Sequence, residues 1–376
     1  MLNIAYVIDT IETPNAGTES QLLMLLRGLD RSRFSPHLIV LKNSNWLTRN
    51  NLPFPVYNLD LKKLLSLKFL ASLIRFKKYI KKHNIVIVQT FFRDANVFGT
   101  LAAYFSRIGV IISSRRNHGL GYWHNRYWLM LLKVLKIFTT IYIANSQTTK
   151  NYTVESEQVN PNKVLVIYNG LDTNRYTQLR RQRREVYRRS LGILPGQVLI
   201  GVIANLREVK NLPLFIKVAA ILSKKYPDTR YIVVGDGPER DKLQTMINNF
   251  SLDGRVILAG EQDDVSPFLC SMDVGVLCSK SESLSNSILE YLATGLPSVV
   301  SNVGGNLEAI GYRNGLSFES NNLEDLCVKL EVLILDSDLR KSLGSWGKSY
   351  ACRKYNYKNI VKQYEGVYEQ FHFANI

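Results

Sequence analysis

Short apolar runs rich in β-branched residues recur along the chain. Between them lie stretches whose apolar residues return every three or four positions. The first set of runs is IAYVI (4–8), HLIVL (37–41), IVIV (85–88), VIIS (110–113), IYIA (141–144) and VLVI (164–167). These runs are continuously apolar, as strands are when a parallel sheet is covered by helices on both faces. The pattern restarts with VLIGVIA (198–204), YIVVG (231–235), RVILAG (255–260), VGVL (274–277) and PSVVS (297–301), with helical segments such as 211–225 and 237–250 between them. Such alternation predicts an α/β chain with two doubly wound, Rossmann-like sheets. Between the two sets, TQLRRQRREVYRRSLGILPGQ (177–197) is strongly basic and ends in a Pro-Gly turn. It reads as a surface linker with a short helix, and a hinge is expected near residue 170.

A length of 376 residues suits two domains. The composition, 46% hydrophobic and 21% charged, is that of a chain with a full core. The charge changes the picture: the net value is +17, and residues 1–170 carry 22 Lys and Arg against 8 Asp and Glu. A basic first half predicts an anionic partner. Cys270, Cys278, Cys327 and Cys352 have no metal-type spacing and read as buried free thiols in a reducing compartment. The start, MLNIAYVIDT, lacks the basic-then-apolar pattern of a secretory leader. The most apolar long window, 128–144, is broken by Lys133 and Lys136, so no spanning helix is expected.

Ligands of doubly wound sheets bind beyond the carboxyl ends of the strands, so the loops that follow strands carry the candidate chemistry. In NAGTESQLLMLLRGL, Gly17 precedes a helix and lets amides approach an anion, while the simpler reading makes Thr18 an N-cap. One glycine is no dinucleotide fingerprint, which argues against a nicotinamide enzyme. SSRRNHGLGYWHNRYW places His118 in a polar loop beside Arg115 and Arg116. In IANSQTTK, Asn145 or Ser146 reads as a helix cap. ANLREVKNLPLF sets Asn205, Arg207 and Lys210 after a strand, where cations suit a diphosphate. In VVGDGPERDKL, Gly235 and Gly237 make a tight strand-to-helix turn.

The stretch ESLSNSILEYLATG predicts a helix from about 287 to 294 with Gly295 as its C-cap. Ser287 and Glu290 then read as a capping box. Glu282 lies in the loop before that helix and has no such structural role. The amides of Leu284, Ser285, Asn286 and Ser287 at the helix start suit phosphate.

Taken in order, these stretches resemble the retaining glycosyltransferase family 4, of GT-B fold, over nearly the whole chain. The most specific part is the pair Glu282 and Glu290 in an E-x7-E pattern, followed by ATGLPSVVSNVGGNLEAI. NAGTE, IANS, VIYNGLD, VKN, VVGDGPE and NGLSF fall in the expected order. The resemblance implies two Rossmann-like domains facing a cleft. The acceptor-side domain would span 1–168, with 357–376 returning to it, and the donor domain would span 169–356. It implies that Glu290 holds the donor ribose and that Glu282 binds the donor sugar near the transferring carbon, with His118 contacting that sugar. It also implies that Lys210, Arg207, Asn205, Gly237, Gly17 and the amides of 284–287 surround the nucleotide diphosphate. The implied activity is transfer of a sugar from a nucleotide donor, a UDP-sugar favoured, to a glycan or lipid-linked acceptor, without cofactor or metal. The chain departs from the family pattern at Ala16, at Asn205 in place of an arginine, and at Ser285 in place of a proline. A sugar-nucleotide epimerase and a non-catalytic binding protein of the same fold stay open as alternatives.

Residues 61–83 combine eight Lys and Arg with leucines and phenylalanines at helical spacing, and 121–138 add aromatics to an apolar run. Two core-packing helices would account for this. The functional reading is a surface that seats the first domain on anionic lipid, on the cytoplasmic face of a membrane. No nucleic-acid motif appears, so that partner is not expected.

Overall fold

The computed structural model describes residues 1–64, 66–116, 126–311 and 313–374, and the side chains of all these except 126 and 177–183. The chain divides into two compact units. One is Met1–Gly170 with Tyr357–Ile376, and the other is Leu171–Asn356.

The first unit is built on a seven-stranded sheet of β1 (Leu2–Ile8), β2 (Phe34–Val40), β3 (Val56–Asn58), β4 (Ile85–Phe91), β5 (Val110–Arg115), β6 (Ile141–Ala144) and β7 (Val164–Val166). The order is β3-β2-β1-β4-β5-β6-β7, and every pairing is parallel. β1 is buried from Ile4 to Ile8 because helices cover both of its faces. On one face Ile4, Tyr6 and Ile8 pack with Leu22 and Leu26 of the helix Gly17–Gly28 and with Ile360, Tyr364 and Tyr368 of the last helix, Tyr357–Phe373. On the other, Ala5 and Val7 pack with Phe76, Ile80 and Phe98 of the helices Lys68–Lys82 and Arg93–Phe105. The last helix is also tied by a polar bond, Tyr368 Oη donating to Gln89 Oε1 at 2.6 Å inside the core. Gln21 grips both backbone groups of Gly170, the last residue before the chain leaves this unit, at 2.9 and 2.8 Å.

The second unit has a six-stranded sheet of β8 (Val198–Ile203), β9 (Thr229–Val234), β10 (Val256–Gly260), β11 (Val274–Leu277), β12 (Ser298–Ser301) and β13 (Leu316–Phe318). Its order is β10-β9-β8-β11-β12-β13, again with all strands parallel. The order reverses between β1 and β4 in the first sheet and between β8 and β11 in the second.

The basic stretch at 177–197 differs from the expected linker. Its residues 177–190 belong to an 18-residue helix, Thr173–Ser190, capped by Asp172. The arginines are not all solvated. Arg188 is buried and donates to the carbonyls of Ser271 and Gln197 and to Asp273, and Arg184 pairs with the same carboxylate at 2.6 Å. A carboxylate some 85 residues away thus turns apparent linker into packed helix.

Other caps follow local chemistry. Ser146 caps the helix Gln147–Glu157 by accepting from Thr149 N, as expected. Thr18 does not cap the first helix: the N-cap is Ala16, and Gly17 is already helical. The four cysteines are free, three of them buried. Among the described residues no helix is long and apolar enough to cross a membrane.

Candidate functional site

The crevice where the second sheet reverses is bounded by the loops after β8 and β11. Doubly wound sheets hold ligands at this point. After β8 the chain runs through Asn205, which is exposed, and Leu206, which is fully buried, into a short turn, Glu208–Lys210. After β11 it runs through Ser279 into the loop that carries Glu282. The structure joins the two loops: Lys210 Nζ forms an ion pair with Glu282 Oε1, and the same oxygen accepts from Ser279 Oγ at 2.7 Å. A second pair, Lys280 to Glu208 at 3.1 Å, and a backbone bond from Lys280 N to Val209 O at 2.8 Å hold the loops in register. Glu282 is further pinned through its carbonyl, which accepts from Gly305 N at 3.2 Å.

The helix Asn286–Thr294 starts beside this pair. Its N-cap is Ser285, which makes no side-chain cap bond. The expected capping box is therefore absent. Ser287 Oγ instead donates to Ile203 O at 2.7 Å, and Tyr291 Oη accepts from Ile203 N at 2.9 Å. Both polar groups of the last residue of β8 are thus used to dock this helix. Leu284 and Ser285 are buried, and Asn286 and Ser287 are partly exposed at the helix start.

Glu290, freed from capping, faces Tyr176, whose hydroxyl donates to Glu290 Oε1 at 3.4 Å. Tyr176 is buried and comes from the helix Thr173–Ser190. The neighbouring Arg175 pairs with Asp264 at 2.9 Å. Burial pushes the Glu290 carboxyl up to about 7, only partly opposed by the Tyr176 bond. A carboxyl that is costly to ionise and has, among the described residues, a single weak donor is suited to gain donors from a ligand.

Gly235 and Gly237 follow β9 with φ of 132° and 153°. A Cβ on Gly235 would sit 2.0 Å from Ala204 O, and one on Gly237 would sit 2.7 Å from Leu206 O. Both glycines let the β9 loop lie against the β8 loop, so the close approach made by Gly237 is to protein backbone. Arg207 is exposed at the edge of the same loop.

In the first unit the reversal point lies between β1 and β4. There Asp9 Oδ1 accepts from Ala95 N at 2.7 Å. Burial, then the charge of Asp94, raises the Asp9 carboxyl to about 7. Gly17 begins the helix after β1. His118 lies outside the described residues, as does part of the 121–138 stretch. No group of three or more His, Cys, Asp or Glu that could hold a metal occurs among the described residues.

The structure therefore brings Lys210 and Glu282 together, and it sets Glu290 apart with its own partner. Sequence reasoning missed Tyr176, Ser279 and Asp9. Tyr176 falls at the fourth residue of a helix whose cap, Asp172, was visible as a capping residue type.

Residues 16–175 match the family profile described as Glycosyltransferase Family 4, and residues 183–350 match that of Glycosyl transferases group 1. The chain is 28% identical to the N-acetyl-alpha-D-glucosaminyl L-malate synthase of Bacillus anthracis, over 56% of this chain and 55% of that enzyme. It is 27% identical to the UDP-Gal:alpha-D-GlcNAc-diphosphoundecaprenol alpha-1,3-galactosyltransferase of Escherichia coli, over 80% of this chain and 79% of that one. Its backbone is similar to that of Anabaena Alr3699/HepE, solved in complex with UDP, with a TM-score of 0.85, 20% identity, and coverage of 98% of this chain and 100% of that one. The lipopolysaccharide glycosyltransferase WaaG shares the fold at a TM-score of 0.76 and 14% identity, over 97% and 99% of the two chains.

Proposed function

We propose, for a chain that belongs to glycosyltransferase family 4 and has the GT-B fold, that the second unit holds a nucleotide-sugar donor whose sugar passes to a glycan or lipid-linked acceptor. The observation that carries this reading is the Lys210–Glu282 pair at the sheet reversal, beside the start of the helix Asn286–Thr294. Departure of the diphosphate places negative charge on the leaving group and positive character on the sugar ring. Lys210 and the amides at 284–287 meet the first, and the Glu282 carboxylate lies beside the second. The reading is of a retaining transfer in which the departing phosphate takes the acceptor proton, with no metal or cofactor assigned a step. Glu290 receives the ribose hydroxyls. A relative whose name states a UDP-sugar supports a uridine donor.

A panel of UDP-, GDP- and ADP-sugars in a thermal-shift assay tests this. A UDP-sugar at one hundred times its Kd stabilises by about 2.7 kcal/mol, a shift of several degrees. The reading fails if no nucleotide sugar raises Tm.

The first unit also exposes apolar residues beside lysines, a combination suited to lipid. Leu70 and Ile74 on the helix Lys68–Lys82, and Met130, Val134 and Ile137 in and just after the helix Arg126–Leu135, are exposed large apolar residues. Lys77, Lys78, Lys81 and Lys82 accompany the first group and Lys133 and Lys136 the second. Such a surface favours peripheral attachment to an anionic cytoplasmic leaflet, near a lipid-linked acceptor. The full chain is expected to float with vesicles containing phosphatidylglycerol and to release at about 0.5 M salt, where screening shortens to a few ångströms. Equal partitioning onto zwitterionic vesicles at both salt levels would count against it.

A further inference from the structure

Lys210 is not the sole anchor of Glu282. Ser279 lies just beyond the end of β11 and is fully buried, and its hydroxyl donates to Glu282 Oε1 at 2.7 Å. The carbonyl of Ser279 accepts from Ser301 Oγ at 2.7 Å. Ser301 ends β12 and is also fully buried. Asn306, fully buried at the start of the helix Asn306–Ile310, donates its amide to Ser301 O at 3.0 Å and to Ser301 Oγ at 3.3 Å. Ser279 and Ser301 at two strand ends and Asn306 at a helix start thus form a run of buried hydrogen bonds that holds the Ser279 backbone, and of the three only the Ser279 hydroxyl reaches the carboxylate.

Such a run is costly. Each hydroxyl or amide taken from water must recover its desolvation through hydrogen bonds, and apolar residues of similar size would fill the same space without that demand. The donors also arrive on one side. Ser279 and Lys210 both meet Oε1, and no hydrogen bond reaches Oε2 from the described residues. The carboxylate is therefore clamped by one oxygen and presents the other.

We propose that Ser279, backed by Ser301 and Asn306, is a positioning residue for Glu282. It fixes the carboxylate rotamer so that Oε2 is offered to a hydroxyl of the donor sugar while Lys210 remains at Oε1. This rests on the reading of Glu282 as the donor-sugar carboxylate. Without Ser279 the carboxylate follows Lys210 alone, whose ammonium is a point charge on a flexible stem and sets no plane for its partner. The affinity for the nucleotide itself should not change, because its diphosphate and ribose are assigned to other groups.

The test is Ser279→Ala in the full chain, with UDP-glucose, UDP-galactose and UDP-N-acetylglucosamine as probes. UDP release is read for turnover, and calorimetry with UDP is read for binding. Turnover of the accepted sugar should fall about tenfold, the cost of one charge-assisted hydrogen bond. UDP affinity should stay within about twofold. In a Glu282→Gln background the added loss from Ser279→Ala should be under about twofold, because the group to be positioned has been changed. Wild-type turnover, an equal loss in both backgrounds, or a parallel loss of UDP binding would each overturn the proposal. Should Ser279→Ala not fold, Ser301→Ala carries the same comparison. A wild-type chain inert toward all three sugars would remove the donor reading and the proposal with it. An active wild type matched by Ser279→Ala would remove the proposal alone.

Discussion

Glu282→Gln is expected to lower the turnover of sugar transfer by about 100-fold or more while leaving the fold intact. The reason lies in how the carboxylate is set. It sits between two loops that meet where the second sheet reverses, paired with Lys210 and bonded to Ser279. Glutamine keeps the shape and one acceptor oxygen but removes the charge that, on the proposed reading, faces the developing positive sugar. The backbone of the loop is held separately by Gly305 N on the Glu282 carbonyl, so the loop should stay in place. Initial rates of nucleotide release and a thermal melt on the same preparation check both halves. A variant with a rate within about threefold of wild type would take Glu282 out of the reaction.

The second large effect concerns Glu290, and it should have opposite signs on binding and on stability. Burial raises this carboxyl from its ordinary range to about 7 in the folded chain without ligand. A carboxyl raised in this way adds stability that is fully present below the unfolded value, near pH 4.5, and is lost as pH rises through about 7. Glu290→Gln removes that titration. Relative to wild type, the variant should therefore gain stability as pH increases, reaching about 2 kcal/mol near pH 8 after allowance for solvent screening. Donor binding should move the other way. Ribose hydroxyls donate best to an ionised acceptor, so wild-type affinity should weaken as pH falls below about 7, and the variant should bind about 10–100-fold more weakly at pH 8 with a flat pH profile. Melts and donor titrations at pH 6, 7 and 8 read both trends. A variant less stable than wild type at pH 8, or one that binds the donor normally, would contradict the assignment.

Much of the architecture was legible because parallel strands buried on both faces leave uninterrupted apolar runs. β6 and β11 fall at 141–144 and 274–277, as the runs imply. The short strands β3 and β13 escaped because three residues with mixed exposure carry almost no pattern. The helix Thr173–Ser190 was misread for a different reason. Arginine density signals solvation locally, and only the distant Asp273 converts Arg184 and Arg188 into packed groups. The site divides along the same line. Lys210 and Glu282 were each visible as a charged residue after a strand, but their pairing depends on the β8–β11 neighbour relation, which no local pattern encodes. The local pattern reads Glu290 as a cap because Ser-x-x-Glu at a helix start is usually that, while the resemblance alone gives it the donor ribose. The helix begins one residue earlier than expected, and Ser287 is drawn instead to the end of β8.

The first unit is not one continuous piece of chain. Its last helix, Tyr357–Phe373, follows the whole of the second unit, yet it supplies Ile360, Tyr364 and Tyr368 to the core over β1 and the hydroxyl that satisfies Gln89. A ribosome therefore delivers the second unit complete while the first still lacks one wall. Until the final residues emerge, that face of the first sheet stays open to water and to other nascent chains. The second unit is therefore expected to mature first. A chain cut short near residue 356 would lose the half that never received this helix and keep the half that carries Lys210, Glu282 and Glu290.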